Sequence, residues 1–204
     1  INNAGIGSSS IGLAPTLQVN TWGIHRVCEA FVPLLEASGR IVNVTSAAGP
    51  NFVEAADDVT RTMLTDPDVQ WDAVEEYMNR CISESKDSAS TTSGLGNAYG
   101  LSKACANALT LILANENPGL KINACTPGFI ETDMTRPFAE SQGKSASEMG
   151  MKTPEQGSSA SVFLMMGEVP GSGMYFGSDC LRSPLDRYRS PGDPPYDCLL
   201  YTSD

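Results

Sequence analysis

Residues 98–128 read AYGLSKACANALTLILANENPGLKINACTPG, and this stretch decides the fold. From Ala98 to about Asn117 small and apolar residues recur at helical spacing, and Pro118-Gly119 closes the segment, so a helix is predicted. Lys121 to Thr126 then alternates in the manner of a short strand and stops at Pro127-Gly128. A helix feeding directly into a strand is the repeating unit of a parallel α/β sheet, where the crossover helix covers a face of the sheet it connects.

The same alternation extends outward in both directions. Upstream, Arg40 to Ser46 is a β-branched run ended by Ala47, Ala48 and Gly49, and predicts a central strand. Before it, Ala14 to Ala37 carries Leu17, Val27, Phe31, Leu34 and Leu35 at spacings near three and four, which predicts one helix with one buried stripe. Downstream, Thr153-Pro154-Glu155 opens a helix to about Met166, and Gly173 to Phe176 predicts a last strand. Between Asn51 and Asn97 the composition turns acidic and polar, with a helix expected from Asp66-Pro67 to about Lys86 and a Ser/Thr/Gly run after it. Residues 50–97 therefore read as a helical insertion. Ser183 to Asp204 has four prolines and little periodicity, so a poorly ordered tail is expected, and its last residues resemble translated adaptor sequence.

Composition limits the partners. At 204 residues and 41% hydrophobic the chain suits one domain, and 13 basic against 24 acidic residues give a formal charge of −11. That charge repels nucleic-acid backbones and anionic lipid surfaces, so no nucleic acid and no membrane is expected. Six cysteines without a C-x-x-C pair, and one histidine, offer no zinc-type ligand set; no metal is expected, and the thiols read as reduced in a cytoplasmic protein. The dinucleotide fingerprint G-x-G-x-x-G is absent from the sequence, since Gly94, Gly96 and Gly100 miss its spacing.

The chemistry centres on Tyr99 and Lys103, four apart on the predicted helix and so one turn apart on one face. A tyrosine ordinarily titrates near pH 10, and a fixed ammonium beside it is expected to lower that value. Alone this pair is a common helical coincidence. It stands, however, in ordered company: Asn2-Asn3-Ala4-Gly5 at a strand end, Asn20 on the first helix, Ser46 at the end of a strand, and Pro127-Gly128-Phe129-Ile130-Glu131-Thr132 after another.

On these motifs residues 1–182 resemble the short-chain dehydrogenase/reductases. The resemblance implies a Rossmann-like three-layer α/β/α domain with a parallel sheet, of which the first three strands and the Gly-rich turn would lie upstream of Ile1 and the fourth strand would form an exposed edge. It implies Tyr99 as proton donor to a carbonyl, Ser46 as hydrogen-bond donor to the same oxygen, and Lys103 on the nicotinamide ribose and beside the phenol. Asn20 would hold a water in the proton relay. Asn3, Ala4 and Gly5, together with Pro127, Gly128, Ile130 and Thr132, would bind the cofactor. The separation of Ser46 from Tyr99 exceeds the family's usual short gap and resembles the carbonyl-reductase-like branch, whose members carry a helical insertion, are usually monomeric and generally prefer NADPH. The implied reaction is NADP(H)-dependent reduction of a small-molecule carbonyl, with NAD(H) left open. The interval from Asn2 to Asn20 is shorter than is usual and shortens the loop beside the substrate. Two other classes stay open at this point, a non-catalytic dinucleotide-binding protein and a truncated product without turnover; residues 1–204 alone are expected neither to bind NADPH tightly nor to turn over.

Overall fold

In the computed structural model, which describes residues 1–7, 11–87 and 98–196, helices flank both faces of a four-stranded sheet. The strands are β1 (Arg40–Val44), β2 (Lys121–Cys125), β3 (Tyr175–Phe176) and β4 (Arg182–Ser183), in that spatial order. β1, β2 and β3 run parallel, with Arg40 opposite Lys121 and Val44 opposite Cys125, while β4 returns antiparallel to β3. Asn2 extends the sheet beyond β1 through a parallel bridge to Asn43. β1 and β2 are buried along four of their five residues, as expected for parallel strands covered on both faces.

One face is covered by α6 (Ala98–Glu116), whose Leu109 and Leu113 pack with Ile41 and Ile122. The opposite face is covered by α8 (Pro154–Met166), which follows the short α7 (Arg136–Ser141) and whose Ala160 and Leu164 pack with Val42, Val44 and Phe176. A capping box at Thr153 and Gln156 with Pro154 in the first turn starts α8, as the sequence predicts. The three-layer α/β/α arrangement expected of the sequence is therefore the one observed. A buried polar chain crosses the sheet: Asn2 Nδ2 donates to Asn43 Oδ1 at 2.8 Å, and Asn43 Nδ2 donates to Thr110 Oγ1 at 2.9 Å. Each of these buried groups is satisfied by the next, which fixes α6 and the Asn2 segment in register with β1.

Between β1 and α6 the described residues form three helices, α3 (Ala48–Ala55), α4 (Asp58–Thr65) and α5 (Trp71–Asp87). Asp57 caps α4 by accepting from Thr60 N. Asp66-Pro67 opens a turn, and α5 starts only at Trp71, because the Asp66 side chain accepts from Asp68 N and holds the turn. α5 docks on the first helices through Trp22 Nε1, which donates to Glu75 Oε1 at 2.7 Å, and through the His25 ring stacked on Trp71 at 4.0 Å. The Ser/Thr/Gly run at 88–97 lies outside the described residues.

The expectation for the first helix also changes. Residues 14–37 form α1 (Leu13–Asn20), α2 (Trp22–Phe31) and a short 3-10 turn (Val32–Leu34), with the break at Thr21. Thr21 Oγ1 donates to the carbonyl of Ser102 in α6, so the break is held by packing that local sequence does not report. Leu17 is buried, but Val27, Phe31 and Leu34 face outward while Ile24 and Cys28 face the core. Of the stretch read as a tail, residues 183–196 are described; Ser183, Pro184 and Arg189 are buried and 190–195 are exposed. β4 pairs with β3, and the buried Arg189 forms an ion pair with Asp179 and donates to the carbonyl of Asp193. Residues 197–204 lie outside the described part.

Candidate active site

The parallel strands end on one side of the sheet, and there Asn2-Asn3, Val44-Thr45 and Cys125-Thr126 hand the chain to three loops. This is where open α/β sheets place their ligands. A cavity of about 470 Å3 opens at that end, with Asn3, Ala4, Gly5, Tyr99, Lys103 and Thr132 among its walls. Pro127, Gly128 and Ile130 also line it.

α6 brings in Tyr99 and Lys103. Lys103 Nζ sits 5.5 Å from the centre of the Tyr99 ring and donates to the carbonyl of Val44, the last residue of β1, at 3.0 Å. The lysine is only 3% exposed, and burial pushes its pKa down to about 8. Burial also pushes the Tyr99 phenol up, while a hydrogen bond from Ser46 pulls it down by less. The direction for Tyr99 is the reverse of the sequence expectation. Burial of the phenol sets that direction, while Lys103 spends a hydrogen bond on the Val44 carbonyl.

Ser46 follows β1 and has two roles: its Oγ accepts from Ala48 N at the start of α3, and its hydroxyl faces Tyr99. Asn20, fully buried at the end of α1, engages protein partners through both its amide oxygen and its amide nitrogen. Its Oδ1 accepts from Ile6 N at 2.9 Å, and its Nδ2 donates to the carbonyl of Ile6 at 2.8 Å and to Ser102 Oγ at 3.0 Å. It thereby fixes the loop after Gly5. Gly5 lies between Asn20 and Lys103, where a β-carbon would come within 3.4 Å of Lys103 Nζ. All the sequence-predicted residues thus gather around one cavity except Asn20 and Ser46, which stand immediately behind its walls.

The second wall is the loop from Pro127. Gly128 has φ +90°, and its Cα is so close to Ser178 that a β-carbon would meet that side chain at 3.1 Å. Ile130 anchors the loop on Gly157 of α8, and a parallel bridge joins Ile130 to Lys152. Sequence reading passed over Thr45, Asp133, Met134 and Thr135 in this cavity. The spacing of Thr132 and Thr135, one turn apart, was the available signal.

A nicotinamide fits this wall chemically. The cavity size is in the range of small-molecule sites, and its lining pairs apolar Ala4, Pro127 and Ile130 with the amide and hydroxyl groups of Asn3 and Thr132. Among the described residues no group of three or more His, Cys, Asp or Glu could hold a metal ion, and no helix is long and apolar enough to cross a membrane. The five described cysteines are free thiols.

No family model matches the chain. Individual relatives do. The chain is 30% identical over 169 residues to (+)-neomenthol dehydrogenase of Arabidopsis thaliana, covering 78% of this chain and 53% of that protein. It is 29% identical over 181 residues to carbonyl reductase (NADPH) 3 of Rattus norvegicus, covering 81% and 61%. Among solved structures, salutaridine reductase from Papaver somniferum superposes with a TM-score of 0.65 at 25% identity, covering 85% of this chain and 70% of that one. The chain spans between half and two thirds of the length of these two curated relatives.

Proposed function

Because the chain belongs to the short-chain dehydrogenase/reductase family, on its carbonyl-reductase-like branch, we propose that it carries the nicotinamide and catalytic part of an NADP(H)-dependent carbonyl reductase. The observation that carries this reading is the meeting of Ser46, Tyr99 and Lys103 at the C-terminal end of β1, beside a cavity walled by the Pro127–Thr135 loop.

Asn3, Ala4 and Gly5 on one side, and Pro127, Gly128, Ile130 and Thr132 on the other, hold the cofactor's nicotinamide end. When bound there, the reduced ring supplies hydride to the carbonyl carbon of a small ketone or aldehyde. Ser46 donates a hydrogen bond to the carbonyl oxygen and stabilises the negative charge that develops on it. Tyr99 delivers the proton to that oxygen. A phenol raised by burial stays protonated through the neutral range, which is the state a proton donor needs. Lys103, held charged below about pH 8, offsets the phenolate left after transfer. Asn20 keeps the Gly5–Ile6 backbone in place beside Lys103. NADPH as the preferred cofactor follows from the branch, which includes an NADPH carbonyl reductase among its members. A monomer in the cytoplasm completes the reading, with α3, α4 and α5 packed over the outer side of α6.

The test is Tyr99→Phe in the full-length protein, a change that keeps the ring and removes the proton. Consumption of NADPH with a small ketone should fall by about two to four orders of magnitude, the range for loss of a general acid. Turnover unchanged in the variant would remove Tyr99 as the donor, and the reading with it.

A further inference from the structure

The Thr135 hydroxyl is the hub of the cofactor loop. Its Oγ1 lies 2.5 Å from the carbonyl oxygen of Ile130, 3.1 Å from that of Thr132, 2.9 Å from Thr132 N and 3.2 Å from Thr132 Oγ1. Hydroxyl chemistry limits how these contacts are shared: one proton to give, two lone pairs to receive. The two carbonyls can only accept, and the nearer, Ile130 at 2.5 Å, takes the Thr135 proton. Thr132 N–H can only donate, and it fills one Thr135 lone pair. The remaining lone pair faces Thr132 Oγ1, so the proton between the two hydroxyls is that of Thr132.

We infer that Thr135 is a positioning residue that takes up the Thr132 hydroxyl proton and so makes Thr132 Oγ1 a hydrogen-bond acceptor toward the cavity, selecting a ligand with an N–H donor. This rests on the nicotinamide reading above and sharpens it. The carboxamide NH2 of a nicotinamide is such a donor, and both threonines line the cavity. Without the Thr135 oxygen, the Thr132 hydroxyl is free to turn its proton outward, where it opposes an NH2 group. Thr135 itself need not touch the ligand.

A pair of ligands separates this from a merely structural role. Reduced nicotinamide mononucleotide reports on the nicotinamide end alone, and its reduced 3-acetylpyridine counterpart keeps the carbonyl but replaces NH2 with a methyl group. Affinities of both for the full chain are measured by NMR titration, in wild type, Thr135→Val and Thr135→Ser. Thr135→Val should weaken the nicotinamide ligand by about tenfold, as for loss of one net hydrogen bond, and leave the acetylpyridine ligand within about twofold. Thr135→Ser should restore the nicotinamide affinity. Equal weakening of both ligands would overturn the inference, because a deformed loop does not distinguish NH2 from methyl, and so would a Thr135→Val variant that binds both as wild type does. Wild type that binds neither ligand would instead bring down the nicotinamide reading itself, and the inference with it.

Discussion

Helices α6 and α2 are both rich in apolar residues, yet they have opposite fates. In α6 every residue from Gly100 to Ala114 except Leu111 is buried, between the sheet on one side and α1, α3 and α5 on the other. In α2 only Trp22, Ile24 and Cys28 are buried, and the chain around it presents Val27, Phe31 and Leu34 to the outside at 44%, 59% and 74% exposure. A helix apolar all round needs neighbours all round, and α6 has them. The difference bears on function as well as stability. Because α6 is dry, the Lys103 ammonium and the Tyr99 phenol on it are desolvated, and their proton affinities move away from the solution values. The described part of α2 carries no group in the cavity.

The contrast can be broken most directly at Leu109, which is fully buried on the sheet side of α6 among Ile24, Ile41, Leu113 and Ile122. Leu109→Ala should cost about 3 kcal/mol in urea unfolding, from lost burial and the cavity left behind. A cost under about 1 kcal/mol would mean that this layer is less tightly packed than described. Lys103→Met comes next, and it has the opposite sign. The folded-state value of about 8 lies below the ordinary 10.5, so the unfolded chain binds the proton more tightly, and holding Lys103 charged in the fold costs stability. That cost is complete below about pH 8 and is relieved as the pH rises toward 10.5. It amounts to about 3 kcal/mol, less about 1 kcal/mol for the bond to the Val44 carbonyl that the methionine also loses. Lys103→Met should therefore be the more stable protein by about 2 kcal/mol at neutral pH, with turnover lost, and its advantage should shrink as pH climbs through about 8 to 10.5. A stability difference that does not change with pH over that window would mean that Lys103 keeps its ordinary proton affinity in the fold.

Composition and pattern reach some of this and stop at identifiable points. The β-branched run at Ile41–Val44, the long apolar segment of α6 and the Thr153-Pro154 start of α8 act within a few residues, so the layered α/β fold was legible. Ser46, Tyr99 and Lys103 were legible only in company, because a tyrosine and a lysine four apart mean little until a strand end brings Ser46 to them. What stayed hidden depends on distant partners. The break at Thr21 is set by the carbonyl of Ser102, and the direction of the Tyr99 shift is set by burial of the phenol under elements distant in sequence. The Arg189–Asp179 pair, which ties a residue of the stretch read as a tail back to the domain, is another such distant contact. Which apolar side of α2 is covered is hidden for the same reason: Ile24 and Val27 are equally good core residues, and only the position of α6 and β1 chooses Ile24.

That last choice gives the smallest expected effect and the clearest complement to Leu109. Phe31 and Leu34 contribute to the same periodic pattern as the buried residues, but at 59% and 74% exposure they gain little from folding. Phe31→Ser and Leu34→Ser should each change the unfolding free energy by no more than about 0.5 kcal/mol, the usual range for surface positions. The measurement is urea unfolding at two protein concentrations. A patch of this kind is also a candidate contact surface, so the concentration series matters as much as the midpoint. A cost of about 2 kcal/mol or more that is independent of concentration would show that this face packs within the chain, and would erase the contrast with α6. A cost that grows with concentration would show the face covered by a second copy, so that α2, like α6, is buried on both sides in the working protein.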